Sequence, residues 1–347
     1  MKKKIIFALV PILVTIIIGF IIYSDAAKII RHPFADSTEP VRIKVNNGDS
    51  LNGLINKLYS EKKIGNSYLI KWYIKKQNLD TNIKPGSYVI NKDVSLNDFI
   101  KILNEGKYNE NAVKVTIPEG YNIEQVAALL QEKEIISKDD FIKSCKEYRL
   151  PNYVKAEEKR KYALEGYLFP DTYELVKGMN GKDIIDIMIK NFEKVLKDVE
   201  QKINRVIKTE EIDKLIIMAS IVEKEAEAAN ERPVIASVFY NRLKIKMPMQ
   251  SCATVEYALG VHKSVYTYKD LEIESPYNTY KVKELPIGPV ANPGKDSIIA
   301  AAAPAQTNYI YFVSKFDGTK THFFTKDYNE FLRYKKVSDE NLAKMNK

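Results

Sequence analysis

A carboxyl group that keeps its proton near neutral pH can act as a general acid, and one segment of this 347-residue chain is composed to hold one. Residues Ile212 to Ala228 have helical spacing. At about 100° per residue, Ile212, Leu215, Ile216, Ala219, Val222 and Ala226 share one face, while Ile217, Met218 and Ile221 cover much of the opposite one. A helix that is apolar on nearly all sides is a buried helix. Into its C-terminal half the chain inserts Glu223-Lys224-Glu225. A carboxylate among apolar side chains loses hydration, so its pKa rises toward neutrality. The competing outcomes are an ordinary ion pair with Lys224 or Arg232, or a solvated last turn. Periodicity does not choose between Glu223 and Glu225, because they point to opposite sides.

Other chemistries find little support. Two cysteines and three histidines are too few for a disulfide scaffold and argue against a His/Cys structural metal site. His32, His262 and His322 lack convincing Ser/Asp or Cys partners, which argues against a protease. Lys plus Arg number 54 against 45 for Asp plus Glu, a net charge of +9, yet no cluster of interleaved Arg and aromatic residues points to nucleic acid. With 45% hydrophobic and 29% charged residues the chain has the balance of a folded globular protein.

The elements that must position these glutamates begin with an anchor. Ile5 to Tyr23 is an uncharged apolar run, preceded by Lys2, Lys3 and Lys4. As a helix it would span roughly 28 Å, the thickness of a bilayer's hydrocarbon core. The lysines place residues 1–4 in the cytoplasm and the rest outside, in a single-pass cell-membrane protein. Ser24-Asp25-Ala26 offers the alternative of a cleaved signal peptide, which leaves the folded part outside as well. Residues 24–40 read as a stalk. An internal repeat follows, in which Ile43, Val45, Gly48, Ser50, Leu51, Leu54, Leu58 and Ile64 recur as Val115, Ile117, Gly120, Asn122, Ile123, Val126, Leu130 and Ile136. In each copy a short strand meets a glycine turn, and a helix starts behind an N-capping Ser50 or Asn122. With the turn Lys84-Pro85-Gly86-Ser87, the strand Tyr88-Val89-Ile90 and a helix from Ser95 through Leu103, the first copy reads β-α-α-β followed by a helix. Residues 41–155 are therefore read as a LysM-like and linking repeat region, similar to the small modules that commonly hold N-acetylated glycans. Spacer modules without a ligand are the equal alternative.

Residues 160–347 read as a mixed α+β domain. Leu164 to Tyr173 is aromatic, contains Pro170 and is not helical. Helices follow over Asp183–Val199, Glu210–Ala229 and Arg232–Leu243, with an Ala-rich helix over Ser297–Ala303. The strand Tyr309–Val313 pairs with His322-Phe323-Phe324 across the turn Asp317-Gly318. The stretch between the third helix and the Ala-rich one reads as loops rich in Pro and Gly.

Ala219-Ser220-Ile221-Val222-Glu223-Lys224-Glu225-Ala226 resembles the signature of the membrane-anchored endolytic murein transglycosylases, the MltG or YceG-like family. Glu165-Gly166 with Phe169-Pro170-Asp171-Thr172, Ala236 to Leu243, Tyr277-Asn278-Thr279-Tyr280, Leu285-Pro286, Gly288, Asn292-Pro293-Gly294 and Pro304-Ala305 resemble further family segments in the same order. The resemblance implies a lytic transglycosylase that acts on the MurNAc-GlcNAc bond of peptidoglycan to leave a 1,6-anhydroMurNAc end and needs no metal or cofactor, and the expected anchor makes nascent strands near the membrane the substrate. By position it assigns the catalytic role to Glu225, as acid and then base, with Glu223, Glu165 and Asp171 in supporting roles. Asn241, Gln250, Tyr277, Asn278 and Tyr280 are candidates to line the glycan cleft, since amides and phenols suit N-acetyl and hydroxyl groups. Cell-wall synthases are candidate partners. Cys252 stands about where many relatives have Asp, so no second acid carries over there. A non-catalytic wall-binding or divisome scaffold is the alternative.

Overall fold

In the first half of the chain, short alternating strands lead into pairs of amphipathic helices. The computed structural model describes residues 23–34, 40–106, 112–263 and 266–345. Residues 23–31 form a helix, α1, and Phe34 behind it is fully buried, edge-on to Phe99 at 4.9 Å. The stretch expected to be a stalk is thus folded as far as residue 34, because Ile29 and Phe34 bring apolar surface to the neighbouring core. The apolar run Ile5–Tyr23 lies outside the described residues except for Tyr23. Among the described residues no helix is long and apolar enough to cross a membrane.

The first copy of the repeat has the expected order. Strand β1 (Val41–Val45) alternates buried and exposed residues and is followed by α2 (Leu51–Ser60), α3 (Ser67–Lys76), β2 (Gly86–Ile90) and α4 (Leu96–Glu105). β1 and β2 pair antiparallel, with Val41 opposite Ile90 and Val45 opposite Gly86. Ser50 caps α2 by accepting from the Gly53 amide at 3.1 Å. Val41, Ile43 and Val45 close over Leu51, Ile55, Leu58, Ile70, Tyr88, Phe99 and Leu103. Each such buried aliphatic or Phe side chain contributes roughly 1.5–3 kcal/mol relative to an exposed one.

The second copy repeats the order as β3 (Ala112–Thr116), α5 (Ile123–Glu132), α6 (Lys138–Glu147) and, after a long excursion, β4 (Thr172–Val176), which pairs with β3. Asn122 caps α5 in a reciprocal box with Gln125. Gly48 and Gly120, equivalent in the two copies, both have left-handed φ, +87° and +77°, which explains why glycine recurs there. The chain divides into two compact units, Met1–Val115 with Glu174–Met179, and Thr116–Tyr173 with Asn180–Lys347.

The second unit adds α7 (Gly181–Ile203), α8 (Thr209–Glu225), a 3-10 turn (Ala229–Glu231), α9 (Arg232–Lys244), α10 (Cys252–Leu259), α11 (Tyr268–Leu271), α12 (Lys295–Ala302), the antiparallel hairpin β5 (Tyr311–Ser314) and β6 (His322–Thr325), and α13 (Tyr328–Met345). The molecule is α+β, as expected, with three two-stranded sheets among the described residues. Helix α8 is buried at every position from Leu215 to Val222 and packs against α9, α10 and α12. Its N-terminal half is fixed by a buried ion pair. Arg160 reaches Asp213 through two hydrogen bonds of 2.7 and 2.8 Å, and the Tyr167 hydroxyl donates to the same carboxylate.

Several elements differ from the sequence reading, beginning with α7, which is longer at both ends than Asp183–Val199. Helix α8 stops at Glu225 instead of continuing to residue 229, because Ala226 turns to extended backbone and the chain re-enters through the 3-10 turn into Pro233, in the first turn of α9. The first hairpin strand is Tyr311–Ser314, not Tyr309–Val313. The region read as loops contains α10 and the single turn α11.

Candidate active site

Glu225 is the last residue of α8, where the carbonyl end of a helix disfavours negative charge. Its side chain is partly buried and makes no ion pair among the described residues. The Ser251 hydroxyl donates to Oε1 at 2.5 Å. Ser251 is the N-cap residue of α10, and the Ala253 amide in the first turn adds a further favourable hydrogen bond. The carboxyl therefore sits between the C-terminus of one helix and the N-terminus of another, whose dipoles push its proton affinity in opposite directions. Burial is the largest influence and holds the pKa above the ordinary value. The Ser251 hydrogen bond, His322, Arg242 and the Ala253 amide work against it.

Glu223 is placed differently. Its side chain is buried, Oε2 accepts from the Gly294 amide at the start of α12 at 2.9 Å, and Oε1 lies 3.6 Å from the Arg232 guanidinium. The ion pair with Arg232 weighed for this triplet therefore belongs to Glu223, and Glu225 is left with a hydroxyl. Glu119 approaches the same point, so closely that a Cβ on Gly294 would meet its carboxylate. Burial and the charge of Glu223 raise the pKa of Glu119.

The remaining expected residues fall into two groups. Tyr280 faces the acid: its hydroxyl lies 3.1 Å from the Cys252 sulfur, and burial, that contact and the Glu225 charge raise its pKa. Gln250, exposed and held at φ +55°, sits next to Ser251, and its backbone N–H donates to the Thr279 carbonyl. The others hold the scaffold. Asn241 donates from Nδ2 to the carbonyls of Thr307 and Tyr309. Asn278 is fully buried and donates to the carbonyls of Leu271 and Ile273. Tyr277 is buried against Tyr257 and accepts from the Lys161 amide. Asp171 accepts from the Thr172 amide and from Asn191. Glu165 is fully buried, accepting from the Tyr257 hydroxyl at 2.9 Å and the Ile123 amide at 3.1 Å, and desolvation lifts its pKa to about 8.

Sequence reasoning missed three side chains that act on the acid. Ser251 stood in the segment beside Cys252 without a role. Arg242, buried in α9, donates to the carbonyls of Ile310 and Met249 and faces Glu225 electrostatically. His322, taken to lack a partner, has one in Glu231: Nδ1 lies 2.7 Å from Oε2, and the His322 amide donates to both carboxylate oxygens. A carboxylate there puts the ring proton on Nδ1. Only Ser251, a hydroxyl next to a candidate cleft residue, carried a local hint. Beside the acid, sharing Ala253, opens a groove of about 270 Å³ lined by Gly120, Asn122, Lys138, Lys224 and Tyr257 among others. Among the described residues no cluster of His, Cys, Asp or Glu is arranged to hold a metal ion.

The sequence model of the YceG-like family matches residues 43–337, across both units and the whole of this site. The chain belongs to the YceG-like family. It is 36% identical over 322 residues to the endolytic murein transglycosylase of Bacillus subtilis (strain 168), covering 88% of this chain and 87% of that protein. The endolytic murein transglycosylase of Streptococcus pneumoniae (strain R6) is 29% identical over 315 residues, covering 83% of this chain and 57% of the longer relative. The 2.6 Å crystal structure of a yceG-like protein from Listeria monocytogenes superposes with a TM-score of 0.55 at 35% identity, over 86% of this chain and 99% of that one.

Proposed function

We propose that this protein is an endolytic murein lytic transglycosylase with Glu225 as its catalytic group. One observation carries the proposal: in a family whose relatives bear that name, Glu225 ends a buried helix with its pKa raised by burial and, among the described residues, with a hydroxyl and no ion-pair partner at its carboxyl. Protonated, it donates to the glycosidic oxygen between MurNAc and GlcNAc. The sugar's own N-acetyl group stabilises the oxocarbenium-like centre. Ionised, Glu225 then accepts the proton of the C6 hydroxyl as the 1,6-anhydro ring closes. The nucleophile is part of the substrate, so effective molarity replaces a second carboxylate and a held water.

The two helix ends suit this double use. Burial and the α8 terminus favour the acid form, while Ser251 and the α10 amides stabilise the carboxylate left after proton transfer. The neighbouring groove supplies polar groups for the saccharide, and Tyr280 supplies a ring. The apolar run at residues 5–23 supports a single-pass anchor with the N-terminus cytoplasmic and the catalytic unit outside, so that strands near the membrane are the substrate.

The test compares full-length wild type with Glu225→Gln on purified peptidoglycan, reading products by mass spectrometry. Wild type releases anhydro-ended muropeptides, and Glu225→Gln loses roughly 10²–10⁴-fold of that rate. Reducing MurNAc ends instead would make the protein a hydrolase, and no cleavage by wild type would make it a scaffold.

A further inference from the structure

The single tryptophan of the chain is exposed. Trp72 and Tyr68 lie one helical turn apart on α3, 55% and 83% exposed, opposite the buried Ser67, Ile70 and Ile74. Lys75 and Lys76 share that outer face, and the Lys76 ammonium lies 4.7 Å from the Trp72 ring centre. Residues 57–76 contain six lysines and one glutamate, and α3 itself has no acidic residue. Side chains this exposed do not form the concave pocket that suits a small bound ligand. A cavity of this unit, about 340 Å³, lies along β2 and α4 and is lined by no aromatic side chain. Exposed Trp and Tyr among lysines are instead the composition of a surface resting at a membrane interface.

Helix α1 passes close to the start of α3. Ile29 packs against the core of this unit and lies over Gly65, three residues before Tyr68. Tyr23, the end of the apolar run, is six residues before Ile29, roughly 9 Å along a helix. The point where the chain would leave the bilayer is therefore close to the N-terminus of α3.

We infer that the outer face of α3, through Tyr68, Trp72, Lys75 and Lys76, docks the first unit onto an anionic lipid surface. The inference rests on the anchor proposed above. Docking removes the tumbling of the unit about its tether, so the module lies along the bilayer and does not stand away from it.

Trp72 is its own reporter. Full-length protein is reconstituted in vesicles of phosphatidylglycerol and phosphatidylethanolamine, with and without brominated acyl chains. The expected result is quenching of Trp72 by brominated lipid, protection from acrylamide, and loss of both in pure phosphatidylcholine. Lys75→Glu and Lys76→Glu each lower the docked-to-free ratio by at least about fivefold, the equivalent of one lysine's attraction to an anionic leaflet. Trp72 that remains open to acrylamide and indifferent to brominated lipid overturns the inference. So does a Trp72 signal that answers soluble peptidoglycan fragments instead of lipid. Flotation with the vesicles at high salt reports the anchor separately: a chain that floats with an unquenched Trp72 keeps the anchor and loses the docking face. A chain that fails to float loses the anchor itself.

Discussion

The proposed mechanism asks Glu225 to give up a proton and take one back within a single turnover, which requires surroundings that do not favour either form strongly. Ser251 is the nearest lever. Replacing it by Ala removes a donor that stabilises the carboxylate, so the pKa of Glu225 rises further. The alkaline limb of the kcat/KM profile for anhydro-end release then moves up by about one pH unit, the worth of one hydrogen bond to a charged group. A limb that stays put would show that Ser251 acts on packing alone. Glu165 gives a stability prediction of the same kind. Its folded-state pKa of about 8 lies above the ordinary 4.5, so the fold favours the protonated form. That contribution is complete below 4.5 and is lost as pH climbs to about 8. Glu165→Gln stays neutral throughout, and its melting temperature should show a flatter pH dependence over that window than wild type. An equally steep slope in both proteins would assign the dependence to another group.

Elements were legible where one face, or every face, is apolar. Helix α8 could be read from sequence because Leu215 to Val222 leave it no polar side, and the capped starts of α2 and α5 because Ser50 and Asn122 act within three residues. Helix α13 could not, since its charged and apolar residues are mixed without a clean buried stripe and only Ser338 is buried. The end of α8 was misplaced because Ala226 and Ala228 are good helix formers, and packing into the turn before α9 overrides their preference. At this scale Glu223 joins two helices, accepting the Gly294 amide at the start of α12 from the last turn of α8. Glu223→Ala removes that bond and leaves Arg232 without its carboxylate, at a cost of about 1–2 kcal/mol. For a unit of this size the melting temperature falls by roughly 2–8 °C. Glu223→Gln retains an acceptor for Gly294 and should fall less. Equal melting of both variants and wild type would exclude the role.

Across the whole molecule the two cysteines are unpaired, Cys145 buried with a raised pKa and Cys252 at the edge of the site with its pKa raised by burial. Melting curves with and without reductant should therefore coincide, and a thiol-dependent shift would mean a bridge absent from this fold. The sequence by itself determined the mixed α+β class, the β-α-α-β order of the first module, the buried helix and the pair of glutamates at its end. Each of these follows from periodicity or capping over a few residues. The tertiary structure decided how the two glutamates differ. Arg232 and the Gly294 amide tie down Glu223, whereas Ser251 and the start of α10 receive Glu225. Except for Arg232, these partners lie 26 to 71 residues away in sequence. Strand β4 likewise returns to β3 only after 55 intervening residues. A carboxyl's proton affinity depends on what is packed around it in space, and spacing along the chain encodes the near neighbours but not the distant ones that close the site.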